Sequence, residues 1–211
     1  MTSPQCDSAS DSPSCTPDES RAGPGRRAAR VLREWRAQRA LRVHAAAYVT
    51  GLFAEPPDED VRWLAANGTS GDLDHARWEL RYARRALGLL TAQRDALDDR
   101  TGSAVAAALG RALARDTAIA PGRLRIAERQ LNARLRSYGD ALLRREGAGT
   151  GWHLGRALLD FAGRKEGSTP EVVAKAGDVL ARYLGESNEA LRDHFGAPRL
   201  AEDVPANATG Y

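Results

Sequence analysis

The sequence predicts an all-α fold, and three observations carry that prediction. Apolar residues recur at spacings of three and four from about residue 31 to residue 191, while no segment shows the period-two alternation of β-branched residues that marks a strand. The seam Leu73, Ala76, Leu80, Ala83, Leu87, Leu90, Arg94, Leu97, Thr101, Ala104, Ala108 alternates by three and four without a break. Proline and glycine cluster only between the periodic stretches. The architecture expected is an elongated antiparallel helical bundle, with a long central helical hairpin and short C-terminal helices.

Residues 1–25 are Ser, Pro, Asp and Gly with little apolar content, so they read as a disordered acidic tail; residues 197–211, with Pro198, Pro205 and Gly210, read as a second one. Between them, 26–196 reads as one helical domain. The first helix, about 26–54, carries the stripe Val31, Trp35, Gln38, Leu41, Ala45, Tyr48 and Leu52, and Pro56-Pro57 stops it. A short helix over about 58–65 follows, then the loop Asn67-Gly68-Thr69-Ser70-Gly71. The seam makes a second long helix over about 73–116, with Gly102 as a place to bend or break. After a tight reversal at 117–122, a third long helix over about 121–146 has Leu124, Ala127, Leu131, Leu135, Tyr138 and Leu142 as its stripe. The short connection implies antiparallel neighbours. Gly147–Gly151 reads as a flexible break before a helix over about 152–163. Ser168-Thr169-Pro170-Glu171 then starts a helix over about 170–184, capped at Ser168, and a short one over about 188–195 ends at Gly196.

Composition excludes several classes. Two cysteines, Cys6 and Cys15, cannot build a disulfide scaffold or a four-cysteine zinc site. No apolar run reaches about 18 residues, so no membrane insertion is expected. The first residues lack the pattern of a secretory signal, which makes the cytoplasm the default compartment. Of 31 basic residues only Lys165 and Lys175 are lysine, an arginine richness typical of GC-rich bacterial genomes.

The net charge is only +3, but it is strongly blocked. Residues 1–20 carry −4, 21–42 carry +7, 43–75 carry −5, 76–147 carry +7 and the remainder carries −2. The basic blocks give the candidate anion or nucleic-acid contacts. Arg27, Arg30, Arg33 and Arg36 recur on the first helix; at every third residue they spiral round it rather than form one stripe. The alternative is neutralisation within the chain, by the acidic tail or by the block 55–60. Arg77, Arg81 and Arg84 share a face beside Trp78 and Tyr82, an arrangement that suits phosphate gripping or the packing of long arginine stems over rings.

The stretch Ala181-Arg182-Tyr183-Leu184-Gly185-Glu186-Ser187-Asn188-Glu189-Ala190-Leu191-Arg192 resembles the turn of a DNA-binding helix-turn-helix, with Glu186 where that motif has an apolar residue. The resemblance implies that Asn188, Glu189 and Arg192 face bases.

Catalytic and metal signatures are sparse. His44, Asp72, His75 and Glu79 are the candidate metal ligands, because spacings of three and four put the last three on one helix face. The alternative makes Asp72 a helix cap and Glu79 part of a surface salt bridge. None of the four histidines has Glu three positions earlier, as a two-metal bundle requires. No nucleophile elbow is present, and the Gly147–Gly155 stretch lacks the P-loop pattern, leaving a linker whose amides ahead of Trp152 could hold an anion. No catalytic residue and no cofactor is assigned. The leading expectation is therefore a helical interaction or scaffold protein, associating with itself or a partner through the 73–108 seam. Nucleic-acid binding through residues 21–42 and the C-terminal helical pair is the runner-up. A bundle metal protein or enzyme near His44 and His75 comes third.

Overall fold

The computed structural model describes residues 24–96, 99–144, 149–164 and 167–196. Of the expected tails, 1–25 and 197–211, residues 1–23 and 197–211 lie outside the described residues, as do Leu97 of the seam and the side chain of Arg27, while Pro24 and Gly25 belong to the first helix rather than to a tail. Seven helices account for the fold, and there is no strand among the described residues. They are α1 (Pro24–Leu52), α2 (Asp58–Asn67), α3 (Leu73–Asp95), α4 (Asp99–Ala114), α5 (Leu124–Leu143), α6 (Thr150–Phe161) and α7 (Pro170–Phe195). Among the described residues no helix is long and apolar enough to cross a membrane.

The chain divides into two compact units, Met1–Gln38 and Arg39–Tyr211. In the first, every side chain described from Ala28 to Gln38 is exposed. The expected stripe of the first helix is thus buried only in its second half, where Ala45, Tyr48 and Leu52 are covered; Val31, Trp35 and Gln38 are not.

The second unit is built around α3. A helix on a bundle surface buries one stripe. α3 instead buries Ala76, Leu80, Ala83 and Leu87 on one side and Tyr82, Ala86, Leu89 and Thr91 on others. Helices α2, α4, α5 and α7 pack around it, and α6 closes the bundle between α5 and α7. The end of α1 joins the same core: the Tyr48 hydroxyl donates to the Gly88 carbonyl at 2.8 Å, and Leu52 fills the space that a side chain at position 88 would need.

Local chemistry explains most boundaries. The acids Asp58, Glu59 and Asp60 occupy the first turn of α2, where the helix dipole favours negative charge. Ser70 and Gly71 take positive φ to reverse the chain, and the Asp72 carboxylate then caps α3 by accepting from the His75 amide at 2.9 Å. Asp116 orders the α4–α5 turn by accepting from the Ala118 amide at 3.0 Å, and Gly122 completes that turn with φ 79°.

Three expectations are corrected. The 73–116 rod is two helices: one ends at Asp95 and the next starts at Asp99, ahead of Gly102, which lies inside the second. α4 doubles back on α3, burying Thr101 and Gly102 against the end of α3; a Cβ at position 102 would make only ordinary contact with the Ala92 carbonyl oxygen at 3.6 Å, so the packing does not depend on the glycine. The α3 part of the seam therefore ends at Leu90, Arg94 and Leu73 face solvent, and Ala76, Leu80, Ala83, Leu87 and Ala108 are buried inside the chain rather than offered to a second copy. Second, 170–195 is one helix: the buried stripe Val173, Ala176, Leu180, Tyr183, Ser187, Leu191 runs straight through Gly185, so no helix-turn-helix forms. One glycine costs a helix about 1 kcal/mol, too little to end one whose core face continues on both sides. Its cap residue is Thr169, not Ser168. Third, α6 starts at Thr150, so Gly151 belongs to a helix rather than to a linker.

Candidate interaction surfaces

The proposed metal ligands are not assembled. Asp72 is the cap of α3. His75 Nε2 lies 3.4 Å from Glu79 Oε1, while His44 stands on α1 beside the Phe195 ring, 6.0 Å between centroids. Among the described residues no three His, Cys, Asp or Glu side chains come together in metal-binding geometry.

Glu79 is not the surface residue expected from its helix face. It is buried, and both carboxylate oxygens accept from Arg134 of α5, Oε2 from Nε at 3.1 Å and Oε1 from Nη2. Arg134 Nη1 donates to the Gln130 carbonyl at 3.1 Å, and its guanidinium sits 4.2 Å from the centre of the Phe161 ring. Tyr138, one turn along, is wholly enclosed against Phe161 and its hydroxyl has no partner; burial, with Glu79 nearby, drives its ionisation far above the usual phenol range. A second buried pair joins Arg85 to Asp116 at 2.8 Å, with the guanidinium 3.9 Å above the Phe53 ring; burial lowers the Arg85 pKa. A third polar centre joins buried Asp60 to Arg182, and the Tyr183 hydroxyl donates to Asp60 at 3.5 Å. In each, a carboxylate faces a guanidinium, as buried charges require; Glu79 and Arg134 meet through two hydrogen bonds, whereas Arg85 reaches Asp116 through Nη2 alone and its Nε and Nη1 are buried without a hydrogen-bond partner. These are links between helices, and sequence reasoning missed them. The available signal was an arginine on an apolar stripe: Arg134 between Leu131 and Tyr138, and Arg85 between Tyr82 and Leu89.

The arginine face of α3 is likewise occupied. Arg81 forms a two-pronged pair with Glu55 at 2.6 and 3.1 Å and stacks 4.9 Å from the Trp78 ring. Arg77 reaches Asp58 at 3.5 Å, and Arg84 pairs with Glu186. Among the described residues the acidic block 55–60 pairs with Arg77 and Arg81 of α3 and Arg182 of α7. Asn188 and Arg192 line an open hollow of about 420 Å³ with Asp95, Leu191 and Phe195. They lie on a continuous helix, without the partner helix that sets a reading helix in a groove.

Among the described residues, α1 and α5 are two of the surfaces that keep unpaired cationic charge. On α1, Arg30 pairs with Glu34 at 3.5 Å across one turn, whereas Arg33 and Arg36 have no carboxylate within ion-pair distance among the described residues. Beside them on the helix surface stand Val31, Leu32 and Trp35, 60%, 54% and 54% exposed. The second surface is α5, whose outward side chains at 125, 129 and 136 are all arginine. The chain matches no protein-family model, no curated protein and no solved structure.

Proposed function

We propose that this chain acts by association, and that the helix of its first unit is the docking element for another protein. The observation that carries the reading is the exposure of Val31, Leu32 and Trp35 on one arc of α1. At about 100° per residue these three span roughly 100° of the helix circumference, the width of a face that lies in a groove. Tryptophan beside aliphatic anchors is the side chain that most often dominates such contacts. The flanking Arg33 and Arg36 call for carboxylates at the rim of that groove.

A second copy is a poorer partner. Two such helices would oppose arginine to arginine, and three side chains offer far less than the roughly 800 Å² per partner of a stable interface. The seam that would have joined two copies is the core of this one.

The test places a photo-crosslinking residue at exposed Ala28, on the arc between Trp35 and Leu32, or, as a control, at exposed Arg111, and then purifies whatever position 28 captures. A partner that binds the full chain, loses at least tenfold affinity with Trp35→Ala, and weakens as salt rises supports the reading. Equal capture from position 111, or affinity indifferent to Trp35→Ala, overturns it. Light scattering at tens of micromolar adds the remaining arm, since a dimer dissolved by Trp35→Ala would make a second copy the partner.

A further inference from the structure

We propose that the outer face of α5 is a docking surface for the phosphate backbone of double-stranded nucleic acid. The inference starts from how the ion pairs divide the arginines. In 100–144, the chain has nine arginines; Arg134 is taken by Glu79, and the other eight (Arg100, Arg111, Arg115, Arg123, Arg125, Arg129, Arg136, Arg144) are exposed. None of the eight has a carboxylate within ion-pair distance among the described residues. The acids of the segment are three: Asp116 is taken by Arg85, leaving only Glu128 and Asp140 exposed. The free positive charge of the second basic block thus lies on α4 and α5, not on the α3 face where the sequence placed it.

On α5 that charge is ordered. Arg125, Arg129, Asn132 and Arg136 follow spacings of four, three and four, so they fall within about 60° of one another and run about 16 Å along the axis. They stand opposite the buried stripe Ala127, Leu131, Arg134, Tyr138 and Ala141, which holds the helix rigidly on the bundle. Arg129, Asn132 and Arg136 share, with Leu135, an open hollow of about 490 Å³.

The side-chain chemistry selects the partner. Arginine presents a fork that matches phosphate, and a row of forks on a rigid rod fits a partner with fixed, repeating phosphates. The row contains no aromatic side chain, so it offers no stacking platform for the bases of a single strand. Apolar exposure on α5 is confined to its ends, Ile126 and Leu143, which is too little to anchor the helix in a lipid interface. These contacts touch no base edges, so binding should be indifferent to sequence.

The experiment uses the full chain and a labelled 20-base-pair DNA duplex, with anisotropy measured from 50 to 200 mM salt. The expected result is salt-sensitive binding in which R125Q/R129Q/R136Q lowers the slope of log affinity against log salt by about 2.7 units, at about 0.9 per lost phosphate contact. The lysine counterpart R125K/R129K/R136K should keep most of that slope, which separates lost charge from lost fold, and R77Q/R81Q/R84Q should leave it unchanged. The proposal is overturned by absence of binding at 50 mM salt, by a wild-type slope in the glutamine variant, or by a loss confined to R30Q/R33Q/R36Q. Binding to phosphatidylserine vesicles but not to the duplex would overturn it as well. The outcome is independent of Trp35, so its failure and that of the α1 docking reading are separable.

Discussion

Replacing helical glycines with alanine should change stability in opposite directions at positions that look alike in sequence. Gly155 of α6 and Gly177 of α7 mark the closest approach of two helices. A Cβ on Gly155 would stand 2.8 Å from the Gly177 amide nitrogen and nearer still to the Val173 carbonyl oxygen. One on Gly177 would stand 2.9 Å from the Gly151 carbonyl carbon and nearer still to its oxygen. The obstructing atoms are backbone, which cannot rotate aside, so α6 and α7 must separate by about 1 Å, enough to forfeit a quarter to a half of each contact's dispersion energy. Overpacking of this kind costs about 3 kcal/mol at its upper range. The alanine returns about 1 kcal/mol of helix propensity. Gly155→Ala and Gly177→Ala should therefore each destabilise by about 2 kcal/mol and lower the melting temperature by roughly 4–8 °C. Gly110 and Gly185 are also helical, but a Cβ on either meets nothing within 4 Å. There the same substitution should stabilise by about 0.5–1 kcal/mol and raise the midpoint by roughly 1–4 °C. Thermal unfolding followed by helical circular dichroism reads all four. The double variant G155A/G177A should cost less than the two singles together, because one separation relieves both clashes. A stabilising Gly177→Ala, or four shifts of one sign, would refute the close approach of α6 and α7.

Two further outcomes follow from the buried polar groups. Glu79→Gln leaves the Arg134 guanidinium buried without its counter-charge and should cost about 3–5 kcal/mol in urea unfolding, whereas E79L/R134M should recover most of that loss; a double variant as weak as the single would show that packing, not charge, is at issue. Tyr48, Tyr138 and Tyr183 all have ionisation raised above the ordinary phenol value of 10, chiefly by burial. The folded chain therefore holds these protons more tightly than the unfolded one, so their stabilisation is complete below pH 10 and lost as pH climbs beyond it, by up to about 4 kcal/mol per pH unit for three groups. Melting temperature should fall steeply between pH 10 and 11. The tyrosinate absorbance of these three should appear together with unfolding, and its appearance while the helical signal persists would contradict their burial.

Much of the helical layout was legible because amphipathic periodicity is a local signal. The stripes of α5 and of the second half of α1, the Asp72 cap and the Pro56-Pro57 stop each depend on residues within a turn or two of one another. The continuity of α7 is also written there, in Tyr183, Ser187 and Leu191, but a glycine beside that stripe reads as punctuation, and only the fold shows that nothing packs close enough to need Gly185. The seam from Leu73 to Ala108 shows the limit of periodicity. A heptad pattern states that a face is covered without naming the cover, and here α4 folds back to cover α3 from within the chain.

The candidate surfaces depended on partners distant in sequence. The residues alone established that the chain is helical, rich in arginine and blocked in charge, because composition and spacing are properties of neighbours along the chain. Which arginines keep their charge for a partner was settled only by folding. Glu55, Asp58, Glu79, Asp116 and Glu186 reach Arg81, Arg77, Arg134, Arg85 and Arg84 across separations of 19 to 102 residues, and so leave Arg33 and Arg36 of α1, Arg111 of α4 and Arg125, Arg129 and Arg136 of α5 among the exposed cations. Coulomb attraction acts through space and falls with distance, so a count of charges along the sequence cannot tell which of them will meet.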